Sequence, residues 1–145
     1  MNRPSFDEMF LNVAKVIATR GTCVRRQVGA VAIDKNNYIL GTGYNGSAKN
    51  TPHCIDTPCK GANSESGTNL DSCDGTHAEQ NLVAHVRNPL EIHTVYLTVS
   101  PCVSCVKLLI ATGCKRIAFS KLYPNSQRSR ELALESKVEF DLLYP

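Results

Sequence analysis

Apolar residues recur at helical spacing over 5–20, where Phe6, Phe10, Val13, Ala14 and Ile17 share one side. Ser5 stands as an N-cap for that helix and Gly21 as its stop. The run Gln27-Val28-Gly29-Ala30-Val31-Ala32-Ile33-Asp34 reads as a strand, Asp34-Lys35-Asn36-Asn37 as a turn, and Tyr38 to Tyr44 as the returning strand of a hairpin. Residues 45–76 break the pattern: Asn, Ser, Thr, Gly and Pro dominate and almost no periodic apolar signal remains. A structureless loop that long is uncommon in a compact domain unless it has a function. Beyond it the pattern resumes, with a helix over Thr76–Val86 and a strand over His93–Val99. An apolar helix follows over Cys102–Ala111, ended by Gly113. A strand over Lys115–Phe119, a helix over Ser126–Ser136 and a last strand over Lys137–Leu142 complete the chain.

The order α-ββ-α-β-α-β-α-β predicts an α/β fold in which a mostly parallel sheet opens with one antiparallel hairpin. No repeat and no linker divides the 145 residues, so residues 1–145 read as a single domain carrying one long cysteine-bearing loop at 45–76. With 42% apolar and 20% charged residues the chain reads as soluble and globular. No apolar run approaches the ~20 residues of a membrane helix. The first five residues, Met1-Asn2-Arg3-Pro4-Ser5, hold no apolar signal region, so the expectation is a cytoplasmic protein without membrane partners. A net charge of +3 spread along the chain, no Trp and 6% aromatic residues argue against a nucleic-acid partner and for a small substrate.

Seven cysteines and four histidines change the picture. An odd cysteine set without a signal peptide points to metal or catalysis rather than disulfides. Two segments carry that chemistry. Thr76-His77-Ala78-Glu79 fits a capping box, and Ser100-Pro101 fits an N-cap followed by proline. Taken together they say more. Cys102 and Cys105 project from one side of a helix's first turn, and His77 opens another helix. Two positive helix ends would converge there and stabilise thiolates. Three ligands of this type leave one tetrahedral position of Zn²⁺ open, as catalytic zinc requires. Glu79 would then stand beside the metal as proton carrier. His-x-Glu followed by Pro-Cys-x-x-Cys is the pattern of zinc nucleobase deaminases.

The likeness runs from about residue 5 to the C-terminus. Cys23-x-Arg25-x-x-Val28-Gly29-Ala30, Gly43-Tyr44-Asn45-Gly46-Ser47, His53-Cys54-Ile55-Asp56, His77-Ala78-Glu79 and Pro101-Cys102-x-x-Cys105 together resemble the deoxycytidylate (dCMP) deaminase family. Ala48, where that family often has proline, and the long stretch between Cys59 and Cys73 depart from it within the loop. The resemblance implies a cytidine-deaminase-like three-layer sandwich around a central five-stranded mixed sheet. It implies hydrolysis of dCMP to dUMP and ammonia, supplying dUMP for thymidylate synthesis. Zinc would lie on His77, Cys102 and Cys105, with Glu79 as acid and base. It also implies that the Ala78 N–H holds the pyrimidine O2, the Ser100 carbonyl the amino group, and Asn45 the sugar. Arg25 and Tyr123 would hold the 5′-phosphate, Arg26 being the alternative to Arg25. Family members are commonly hexamers activated by dCTP and inhibited by dTTP with Mg²⁺, through a site involving Gly43, Tyr44, Asn45 and Gly46.

Four cysteines, Cys23, Cys54, Cys59 and Cys73, flank or occupy the loop and are expected to close it around a second, structural zinc, with His53 able to replace one of them. Extra zinc near this loop in phage members of the resembled family favours that reading. Cys114, isolated after Gly113, reads as a buried free thiol. Two rival readings stand. One is another zinc deaminase, acting on dCTP or on adenosine in tRNA. The other is a zinc-stabilised module without enzyme activity.

Overall fold

A computed structural model describes residues 2–23, 25–56, 75–124 and 126–143. The helix α1 spans Phe6–Ala18, and the Ser5 hydroxyl caps it by accepting the Glu8 N–H at 3.1 Å. Asp7 and Glu8 in its first turn and Lys15 in its last complement the helix dipole. The strands β1 (Gly29–Ile33) and β2 (Ile39–Tyr44) form the expected antiparallel hairpin. Its turn is closed by the Asp34 carboxylate, which accepts from the Asn36 and Tyr38 N–H groups at 2.8 and 3.0 Å.

Two short strands, β3 (Gly46–Ser47) and β4 (Gly75–Thr76), pair antiparallel and tie together the two ends of the long loop. Periodicity could not mark elements of two residues. Next come α2 (Ala78–His85), a 3₁₀ turn at Pro89–Glu91, β5 (Thr94–Leu97), α3 (Val103–Ile110), β6 (Arg116–Phe119), α4 (Gln127–Glu135) and β7 (Glu139–Leu142).

The five long strands make one mixed sheet in the order β2-β1-β5-β6-β7. The expectation of a mostly parallel sheet needs correction. β5–β6 and β6–β7 are parallel, but β1 pairs antiparallel with both β2 and β5. The reason is that α2 does not return the chain in the direction of β1. Only α3 and α4 serve as crossovers between parallel neighbours.

β1 is buried along its whole length because helices cover both faces. Val31 and Ile33 pack with Phe10 and Ala14 of α1. Ala30 and Ala32 point the other way, into the larger core shared with Leu82, Val106, Leu109 and Ala133. This alternation gives the three layers: α1, the sheet, and α2 with α3 and α4. Small residues let α2 approach closely. A Cβ on Gly43 of β2 would stand 2.5 Å from the Ala78 carbonyl and 2.6 Å from the Leu82 nitrogen, so the glycine is needed for helix-on-strand contact. Cys114 is a buried free thiol, as expected, with its Sγ 3.2 Å from the Arg116 carbonyl oxygen. Burial pushes its pKa up to about 11.

Opposite the larger core, Arg116 holds α1 against the sheet. Its guanidinium donates to both carboxylate oxygens of Asp7, at 2.7 and 3.0 Å, and to Asp141 at 2.8 Å. Tyr96 donates its hydroxyl to the same Asp7 at 2.6 Å.

Candidate active site and metal centre

Two helices begin at the same place. His77 is the N-cap of α2 and Cys102 the N-cap of α3, with Cys105 one turn further on. Both starts fall one or two residues later than Thr76 and Ser100, the caps expected from sequence. The shift has a chemical consequence. The group reaching back to the α2 cap is Gln80, whose Oε1 accepts the His77 N–H at 2.8 Å. Glu79 is therefore not a capping residue. Its side chain lies buried, 5% exposed, near Cys105.

The His77 Nδ1 lies 3.2 Å from the Cys105 Sγ and 3.5 Å from the Cys102 Sγ. One ligand atom from each of the three residues falls within 4.8 Å of the others. It is the only such grouping among the described residues. The pKa pattern fits a metal centre. Cys102 is pushed down to about 4, first because Cys105 donates to its sulfur, with His77 donating as well. Cys105 is driven up by holding that shared proton and by burial. The Cys102 sulfur also holds His77 up. Desolvation raises Glu79 above the usual carboxylate range. A divalent cation would displace the shared proton and take soft sulfur and imidazole donors from one side only. That donor set suits zinc with an open coordination position.

The pocket in front of this group is lined by Arg25, Arg26, Asn45, Glu79, Val99 and Tyr123 among others. Ala78 is fully buried at the first turn of α2, where its N–H has no intrahelical partner. Ser100 is also fully buried. Its N–H donates to the Lys121 carbonyl at 2.8 Å and its hydroxyl accepts the Tyr123 N–H at 2.8 Å. Those bonds fix Tyr123 over the pocket. Burial pushes the Tyr123 phenol up to about 12.

Arg26, only the alternative to Arg25 in the sequence, stacks over the Tyr123 ring at 4.7 Å from its centroid. Its Nη1 is buried without a hydrogen-bond partner. Arg25 lies half-buried beside it. The tandem Arg25-Arg26 was the available signal: both line the pocket, and no rule of spacing says which of the two stacks on Tyr123.

Asn45 lines the pocket, yet its amide serves the backbone. Oδ1 accepts the Val28 N–H at 2.7 Å and Nδ2 donates to the Arg26 carbonyl at 2.6 Å. Gly43, Tyr44 and Gly46 line a second cleft on the other side of that bend, together with Lys49, His53 and His85. Cys23 and Cys54 lie on adjoining segments, since the Ile55 N–H donates to the Thr22 carbonyl at 3.0 Å. Cys59 and Cys73 lie outside the described residues.

The profile of the cytidine and deoxycytidylate deaminase zinc-binding region matches residues 4–121. A deoxycytidylate deaminase of Mycobacterium phage D29 is 35% identical over 127 residues, covering 83% of this chain and 98% of that protein. The deoxycytidylate deaminase of Saccharomyces cerevisiae is 30% identical over 129 residues, 88% of this chain but 41% of the yeast protein. The chain thus spans less than half of the yeast relative and nearly all of the phage one. In fold, the chain is similar to a dCMP deaminase of cyanophage S-TIM5 solved with dCMP and dUMP. The TM-score is 0.76 and the identity 24%, over 99% of this chain and 100% of that one. No described helix is long and apolar enough to cross a membrane. A deaminase profile spanning most of the chain agrees with a His-Cys-Cys cluster built on two helix N-termini, and the chain belongs to the cytidine and deoxycytidylate deaminase family.

Proposed function

We propose that this chain catalyses hydrolytic deamination of dCMP, taking up one water and releasing dUMP and ammonia. The observation that carries the reading is the buried Glu79 carboxyl beside the His77-Cys102-Cys105 cluster at the foot of a pocket lined by two arginines. A carboxyl whose pKa is raised by burial exchanges protons more readily near neutral pH than an exposed one. The similarity to the phage D29 deoxycytidylate deaminase, over 83% of this chain and 98% of that protein, supports dCMP as the substrate.

His77, Cys102 and Cys105 would hold zinc, which when bound would lower the pKa of water toward neutrality. Glu79 accepts one proton of the attacking water and delivers it to N3 of the ring, making C4 electrophilic so that the water oxygen bonds there. It then takes the remaining hydroxyl proton of the adduct and passes it to the amino group, which departs as ammonia as the C4–N bond breaks and the C4 carbonyl forms. The Ala78 N–H holds the pyrimidine O2 and the Ser100 carbonyl orients the amino group. Asn45 positions the sugar, and its second amide hydrogen remains for that contact. Tyr123 and the Arg25-Arg26 pair take the 5′-phosphate. Arg26 is the better candidate of the two, because its Nη1 is buried without a partner.

Regulation belongs to the same proposal. The cleft at Gly43, Tyr44 and Gly46, with Lys49, His53 and His85 on its walls, suits a nucleoside triphosphate carrying Mg²⁺. dCTP would activate and dTTP inhibit a homohexamer there. Cys23, Cys54, Cys59 and Cys73 close the loop on a structural zinc, His53 being the replacement ligand. The hydrogen bond between Ile55 and Thr22 supports the first pair.

The test is ammonia release from dCMP, dCTP, deoxycytidine and cytosine, each with and without added dCTP or dTTP. dCMP should far exceed the nucleoside and the base. Equal use of dCMP and deoxycytidine would overturn the nucleotide reading. Metal analysis should give two zincs per chain, falling to one in a Cys59→Ser, Cys73→Ser double variant. One zinc in the unaltered protein would rule out the second site.

A further inference from the structure

A cleft of about 410 Å³ lies next to the substrate pocket, lined by Lys15, Arg26, Gln27, Thr98, Ser120 and Lys121 among others. Arg26 and Val99 line both hollows, so the Arg26 side chain stands at the border between them. Three of the cleft's residues are cationic, and among the described residues no carboxylate lines it. The ion pairs among the described residues all involve Arg116 or Arg128, so none neutralises Lys15, Arg26 or Lys121.

The neutral polar groups of the cleft are already engaged. Thr98 Oγ1 accepts the Gly29 N–H at 3.2 Å, Ser120 Oγ donates to the Thr98 carbonyl at 2.7 Å, and Gln27 Nε2 donates to the Gly21 carbonyl at 3.0 Å. What remains to meet a ligand is positive charge, including the buried and unpartnered Arg26 Nη1. Lys15 and Lys121 are exposed and Arg26 is half-buried against Tyr123, so the cleft presents a positive field to an incoming anion.

We propose that this cleft is a subsite for phosphates beyond the first, so that cytosine nucleoside di- and triphosphates are also substrates. The inference rests on the deaminase reading above. With the base against Glu79 and the first phosphate at the Arg25-Arg26 pair, further phosphates would meet Lys15 and Lys121 on the far side of Arg26. The reaction on a diphosphate is the same hydrolysis: dCDP and water give dUDP and ammonia, with no phosphate bond broken. A single-stranded nucleic acid is the poorer fit, because its bases need stacking surfaces and Tyr123 is already covered by Arg26.

The experiment compares kcat/KM for dCMP and dCDP in the zinc-loaded protein and in a Lys15→Ala, Lys121→Ala double variant. dCDP avoids the triphosphates that act as effectors in the regulatory proposal. Expected are measurable turnover of dCDP by the unaltered protein and a fall of at least ~10-fold for dCDP in the double variant, with dCMP changed less than about twofold. Turnover of dCMP without turnover of dCDP would overturn the subsite and leave the deaminase reading standing. An equal fall for both substrates would also overturn it. Deamination of cytosine in an oligonucleotide, lost in the double variant, would reassign the cleft to nucleic acid. No deamination of any cytosine compound would overturn the deaminase reading itself.

Discussion

Replacing Glu79 by Gln isolates the proton carrier from everything else that residue does. The substitution keeps length and volume in a position 5% exposed, so no cavity opens. It leaves the α2 cap untouched, because the bond at the helix start belongs to His77 and Gln80. Had Glu79 been the far half of a capping box with Thr76, its loss would cost about 1 kcal/mol of stability and spare the chemistry. The structure predicts the opposite. Fold and zinc content are retained, and the rate falls by the ~10²–10⁴ that a positioned acid and base contributes. In barrier height that is about 2.7–5.5 kcal/mol. The assay is ammonia release from dCMP at saturating substrate, with metal analysis and a thermal melt on the same preparation. A variant that keeps more than about a tenth of the rate, or that melts early and loses zinc, would refute the reasoning.

Two further substitutions test the supports around the site and the fold. Ser100→Ala removes the acceptor of the Tyr123 N–H inside a fully buried position; it should cost ~1–3 kcal/mol of stability and raise KM for dCMP while zinc content holds, and an unchanged KM would show that Tyr123 needs no such anchor. Asp7 is held below its usual value near 3.8, chiefly by hydrogen bonding to Arg116, so the stability it contributes is present above that value and lost as pH falls below it. Asp7→Asn should therefore destabilise by about 1 kcal/mol at neutral pH, a figure reduced for a partly exposed pair, and by progressively less as pH falls through the lowered pKa of Asp7, as read from denaturant unfolding across pH. A penalty that does not depend on pH would mean that Arg116 is not the cause.

The long periodic segments were legible because their apolar faces are buried against one neighbour. Phe10 and Ala14 mark α1, and Val31 and Ile33 mark β1, without help from tertiary structure. The metal ligands were legible for a different reason: Cys102 and Cys105 are tied by helical spacing, and His77 by its position two residues before Glu79. What sequence could not give was register at the helix starts. Thr76 and Ser100 are good caps by chemistry, but the chain passes both before turning. Ser100 instead spends its hydroxyl on Tyr123, a partner 23 residues away, and only the folded chain brings them together. The direction of β1 relative to β5 was hidden for a similar reason, since the long polar loop carries no periodicity from which a crossover could be read. Which arginine at 25–26 stacks on an aromatic ring depended on where Tyr123 lies.

Asn45 has a consequence for how the two sides of its bend communicate. One amide grips the backbone at Arg26 and Val28, and its own backbone continues into Gly46 at the edge of the second cleft. If the second cleft takes an effector as proposed, one that favoured a single position of Asn45 would also favour one position of the arginine beside the substrate pocket. Linkage makes that coupling reciprocal. Whatever factor an effector applies to dCMP affinity, dCMP applies to the effector. An Asn45→Ala protein should lose both halves together, and measuring effector affinity with and without a bound substrate analogue reads the exchange from the side where no reaction takes place.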